Sequence, residues 1–173
     1  MSTPDQQGEL DGFCGLYSIC NAVGELWPES MDRARRDELA NHIFAAIGPK
    51  NEAMMRRDGA SVLLMQRMMI AAVLFSKKRL RDRLTYRAPF LHYRGVKRFE
   101  HWWDDVAGFA GGDKAVAIIG LTQPYQHWTC ISEINISRAI LKDSAGEKAM
   151  TFGDTGFTGS GKGHEVDWHQ TFV

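Results

Sequence analysis

Asp11-Gly-Phe-Cys-Gly-Leu-Tyr-Ser-Ile-Cys-Asn21 sets a cysteine between glycines at the point where an apolar, helix-patterned run begins. Leu16, Ile19, Cys20, Val23 and Leu26/Trp27 recur at helical spacing until Pro28 ends the run. The spacing predicts a core-facing helix with Cys14 in its first turn. At a helix start the free N–H groups and the macrodipole favour the thiolate, which is the reactive form of cysteine. Asp11-Gly12 before Cys14 and Gly15 after it predict a tight approach and an open face. Cys20 and Cys130 stand among apolar neighbours and are expected to be buried and inert.

A nucleophilic thiol needs an imidazole to hold it as an ion pair and a third group to orient the ring. His127, in Gln126-His-Trp-Thr129, opens a strand-like run after the turn-like Gln123-Pro-Tyr-Gln126. Sixteen residues on, Asp143 closes the apolar run of Ile140-Leu-Lys-Asp-Ser144. Two strands joined by a short turn near Asn135 would bring the start of one against the end of the next, and so His127 against Asp143. The competing reading of Asp143 is an ordinary turn aspartate before Ser-Ala-Gly146. His42, His92, His101, His164 and His169 lack the context of His127.

The order Cys, His, Asp and the stretches Cys14-Gly-x-x-Ser18 with Asn21, His127-Trp128 and Asp143-Ser144 resemble the papain-like cysteine peptidases. The pattern is most similar to small bacterial branches such as the double-glycine leader peptidases and compact papain-like effectors. The resemblance implies a papain-like α+β fold, with an N-terminal helical half carrying the Cys14 helix packed on a C-terminal antiparallel sheet half. It implies a thiol hydrolase cleaving a peptide (amide) bond through an acyl-enzyme on Cys14, with His127 as acid and base and Asp143 orienting the ring. One oxyanion donor would be the Cys14 backbone N–H. The second, by resemblance, is an upstream glutamine. In papain it lies six residues before the cysteine, where this chain has Gly8, so the candidates are Gln6 and Gln7, with Gln7 preferred. No cofactor or metal is required, and the partner would be a peptide or protein in extended conformation. The same triad would serve a deamidase or a transglutaminase-like acyltransferase. An inactive papain-like binding module is the alternative from another class.

At 173 residues the chain has the length of one domain, taken here as 1–173. Lys plus Arg and Asp plus Glu both number 21, so the overall charge points to neither nucleic acid nor an anionic surface as the main partner. Three cysteines without paired spacing argue for a reducing compartment, and the cytoplasm is the simplest expectation. The first residues show no basic and apolar signal pattern, and the most apolar stretch, Val62 to Phe75, is too short to span a bilayer. An effector exported by a specialised machine would have the same features.

Ser30 is the expected N-cap of a second helix running to Ile47 and stopped by Gly48-Pro49. A third helix, from near Gly59-Ala-Ser61 through Phe75, is apolar on most faces and should be buried. Leu84 to Tyr93 reads as an irregular or edge strand, and Val96 to Phe109 as a helix with Phe99, Trp102, Trp103 and Val106 on one face. Short strands then follow over Ala115–Leu121, His127–Ile134, Arg138–Leu141 and Val166–Val173. Helices first and sheet second is an α+β pattern. Gly153 to Gly163 reads as a surface loop. Within it, Gly156-Phe-Thr-Gly-Ser-Gly-Lys162-Gly163 approaches a phosphate-binding loop but ends in Gly where Ser or Thr should stand. His164-Glu-Val-Asp-Trp-His169 would place Glu165, Asp167 and His169 on one strand face, a weak metal pattern. Lys77-Lys-Arg-Leu-Arg-Asp-Arg83 reads as a solvated helix end.

Overall fold

A computed structural model describes residues 12–92, 94–95, 98–112 and 114–173. Among these residues the fold is α+β, with four α-helices preceding a six-stranded sheet. α1 (Cys14–Leu26) follows the apolar spacing, and Ile19 and Val23 on its inner face are essentially inaccessible. α2 (Arg33–Asp58) starts later than expected: Asp32 is the cap, its carboxylate accepting the Arg35 N–H at 2.8 Å, while Ser30 donates its own N–H to Trp27 O. Gly48, at φ 76° and ψ 163°, interrupts the helix as foreseen, but Pro49 restarts it and the second part runs on to Asp58. Proline suits a first helical turn because that position needs no N–H donor.

α3 (Val62–Phe75) is capped by Ser61, whose hydroxyl accepts the Leu64 N–H. It is not buried all round. Leu64, Met65, Met68, Ala72 and Phe75 face the core, whereas Leu63, Ile70 and Leu74 are 70, 51 and 58 % exposed. A sequence apolar but for Gln66 and Arg67 offers little period from which to read that face. The basic run continues α3 as a π-helical turn, Ser76–Leu80, tied back to α2 by Arg79 on Glu38 at 2.7 Å. No strand forms over 84–92, although Arg87 and Val173 exchange both backbone hydrogen bonds; Tyr93 lies outside the described residues. α4 (Phe99–Ala110) buries Trp102, Trp103 and Val106 completely; Val96 lies outside the described residues.

The strands are β1 (Ala117–Gln123), β2 (His127–Ile134), β3 (Arg138–Lys142), β4 (Ala149–Thr151), β5 (Thr155–Phe157) and β6 (His164–Phe172), in the order β4-β3-β2-β1-β6-β5. The sheet is mixed rather than antiparallel, because β5 and β6 run parallel at one edge. β5 lies inside the glycine-rich stretch read as a loop. The stretch is ordered by Glu165, whose carboxylate accepts the Gly159 and Gly161 N–H groups at 2.7 and 2.6 Å and lies 3.3 Å from the Ser160 hydroxyl. Those N–H donors hold the Glu165 carboxyl below its usual range. The N–H groups that a phosphate-binding loop would offer are thus occupied by the chain's own carboxylate.

The sheet is covered on both faces. Ile118, Trp128, Cys130 and Phe172 pack with α1, α2 and α3, while Ala117, Ile119, Ile131 and Leu141 pack with α4. β1 alternates between the two cores, which is why its run Ala-Ile-Ile-Gly-Leu is almost continuously apolar. No helix among the described residues is long and apolar enough to cross a membrane.

Candidate active site

The β2–β3 hairpin turns at Asn135, whose side-chain oxygen accepts the N–H groups of Ser137 and Arg138 at 2.9 and 3.0 Å. Antiparallel pairing then sets Cys130 opposite Lys142. One step further along the hairpin, Thr129 and Asp143 come level, and His127 shares their face. His127 Nε2 lies 2.8 Å from Asp143 Oδ2, and the two side chains are 3 % and 0 % exposed. The other carboxylate oxygen accepts the Ala145 N–H at 2.7 Å and the Glu147 N–H at 3.3 Å. One Asp143 oxygen thus shapes the turn while the other bonds the ring.

α1 brings the thiol to this pair. Its Ser18 hydroxyl lies 2.8 Å from Cys14 O and 2.7 Å from Trp128 O, sharing its proton between two carbonyls. One turn on, Asn21 Nδ2 donates to Lys142 O at 3.1 Å, and Glu25 pairs with Lys142 Nζ at 3.1 Å. The helix is thus fixed to the peptide carbonyls directly after His127 and directly before Asp143. Cys14 is near enough to the His127 ring to favour its cation, and with Nε2 turned to Asp143, Nδ1 is the nitrogen left to face the sulfur.

The flanking glycines serve packing rather than openness, and Cys14 is only 7 % exposed. A Cβ on Gly12 would run into the Met55 carbonyl of α2, and one on Gly15 would lie 2.6 Å from the Met65 sulfur and 2.9 Å from Ala60 Cβ. Close seating of α2 and α3 against the start of α1 is what requires them.

Burial by itself would push the His127 imidazole down. Its hydrogen bonds to Asp143 and Cys14, with the charges of both, overcome this and raise it to about 9. Burial likewise works to raise Asp143, but the imidazole and the Ala145 N–H hold its carboxyl below the ordinary value. Tyr125 packs edge-on to His127 at 5.3 Å between ring centres, and burial followed by the charges of Asp143 and Glu147 raises its phenol, keeping it neutral. Cys20 and Cys130 are 3 % and 0 % exposed, and burial drives the Cys130 thiol far up.

Cys14 and His127 border a cleft of about 770 Å³ between Asp58–Ser61 on the helical side and Thr122, Tyr125 and Gln126 on the sheet side. Of the histidines among the described residues, His127 alone lines it. A second hollow of about 450 Å³, beyond the C-terminal half of α1, is bordered by no histidine or cysteine. Gln6 and Gln7 lie outside the described residues. Gln126 and Gln170 do line the cleft, and sequence reading passed over both. For Gln170 a signal existed in Gly120, since an isolated glycine inside an apolar strand marks a close approach by another group. Glu165 is spent on the 159–161 turn, and no group of three metal-ligating side chains occurs among the described residues.

No protein-family model, curated protein or solved structure matches the chain.

Proposed function

We propose that the protein is a papain-like thiol hydrolase that cleaves an amide bond, in the simplest case a peptide bond, through an acyl-enzyme on Cys14. The observation that carries the reading is the meeting of the Cys14 thiol with the His127 ring, itself bonded to the Asp143 carboxylate, at the edge of one cleft. The Cys14 thiolate adds to the carbonyl carbon, the C–N bond breaks, and the proton held by His127 passes to the leaving amine. Water then gives a proton to His127 and splits the thioester, releasing the acid and restoring the ion pair. Asp143 keeps the ring in one tautomer and stabilises its cation throughout. The Cys14 N–H, at the first position of α1, is a donor for the oxyanion.

The test is product mass. The protein is incubated with a complex peptide mixture beside its Cys14→Ala variant, and the products are read by mass spectrometry. New peptide termini that appear only with the wild type are the expected result. A gain of about 1 Da at amide side chains would instead make it a deamidase, and cross-linked masses an acyltransferase, both through the same thioester. Identical products from wild type and Cys14→Ala would overturn the reading.

A further inference from the structure

The register between β1 and β6 jumps from Ile119↔Thr171 to Gly120↔Asp167, so Trp168, His169 and Gln170 are looped out of β6 with no partner residue on β1. The bulge is tightly built. Asp167 Oδ1 accepts the His169 N–H at 3.1 Å, and Asp167 Oδ2 accepts from Gln170 Nε2 at 2.9 Å. Thr171 donates its hydroxyl to Trp168 O at 3.0 Å and accepts from Trp102 Nε1 at 3.1 Å, which ties the end of the bulge to the core. The Trp168 and His169 rings stack at 3.5 Å.

The bulge redirects Gln170 across β1, a recognised use of such irregularities beside active sites. Its side chain crosses at Gly120, where an added Cβ would lie 2.7 Å from Gln170 Cβ and 2.9 Å from its Cδ. Any residue but glycine at 120 would displace it. By this route a half-buried carboxamide from the far end of the chain reaches the cleft bordered by Cys14 and His127.

We propose that Gln170 is a substrate-binding residue that pairs with the main-chain N–H and C=O of one residue of an extended peptide lying in the cleft. The bond to Asp167 fixes which end of the carboxamide is nitrogen and uses one of its two N–H groups. The second N–H and the oxygen have no hydrogen-bond partner among the described residues. A donor and an acceptor side by side on one planar group match the N–H and C=O of one residue in an extended strand, which point to the same side. The Asp167 carboxylate behind them disfavours an anionic group at this position. This subsite rests on the hydrolase reading given above, since it supplies the peptide that Cys14 would attack.

Two alkylating probes separate the two claims. Iodoacetamide needs only the thiolate. N-acetyl-Ala-Ala-Gly chloromethyl ketone also needs the cleft, and its thioether forms at Cys14 with loss of chloride. Gln170→Ala is expected to slow inactivation by the peptidyl probe about tenfold, the effect of one paired amide, while iodoacetamide labels Cys14 at the wild-type rate. Gly120→Ala should reproduce the loss and add nothing further in a Gln170→Ala background. Equal peptidyl rates in wild type and Gln170→Ala would overturn the proposal and leave the hydrolase reading standing. So would equal slowing with both probes, which is the signature of a merely structural role. A wild-type Cys14 inert to both probes would overturn the hydrolase reading and the subsite together.

Discussion

At the scale of single residues, the chemistry rests on how one buried imidazole is charged. His127 is stabilised as a cation by two neighbours, and Asp143 contributes more than Cys14. Followed by NMR, the ring is expected to titrate near pH 9 in the wild type, lower in Cys14→Ala and lower still in Asp143→Ala, where burial is left to favour the neutral form. Identical titrations in all three would contradict this account. The sign for stability follows. A histidine with an unfolded value of about 6.5 and a raised folded value contributes fully below about pH 6.5. That contribution, on the order of 3 kcal/mol, is lost as pH rises through about 9. Asp143, held low, acts at the other end: its contribution is present above about pH 4 and lost as the solution is acidified through its folded value.

At the scale of elements, α1 and the β2–β3 hairpin form one unit. Ser18 and Asn21 reach the carbonyls beside His127 and Asp143, so the helix that carries the thiol also sets its distance from the ring. Ser18→Ala and Asn21→Ala are each expected to cost about 1–2 kcal/mol in urea unfolding. Each should lower kcat for peptide cleavage more than it raises KM, because the thiol and ring separate while the cleft wall stays in place. Wild-type stability and kcat in both variants would mean that apolar packing alone holds α1. Much of this unit was legible. Helical spacing located α1, period-two patterning located β2 and β3, and Asn135 marked their turn. The N-cap of α2 was not: Ser30 and Asp32 are both good caps, and only the path of the chain after Trp27 decides between them. β5 was hidden because its pairing depends on Glu165, several residues beyond the glycines it organises.

At the scale of the whole molecule, two cores on opposite faces of a mixed sheet hold the cleft walls in place. The sequence reading expected a helical half packed on a sheet half and did not assign helices to faces of the sheet. It recognised the apolar face of α4, with Trp102 and Trp103, but periodicity within an element says nothing about which face of a sheet that element will cover. The side-chain positions that remained hidden, Gln126 and Gln170, depend on the same long-range arrangement. Gln170 reaches the cleft only because β6 pairs with β1 and then bulges away from it.

The central claim is that Cys14 and His127 form a thiolate–imidazolium pair. The most direct measurement is the iodoacetamide labelling rate of each cysteine against pH, read site by site by mass spectrometry in wild type and His127→Ala. The account predicts that Cys14 is labelled markedly faster in wild type than in His127→Ala at neutral pH, and that Cys20 and Cys130 stay unlabelled while the protein is folded. A Cys14 rate that is the same in wild type and His127→Ala would contradict it.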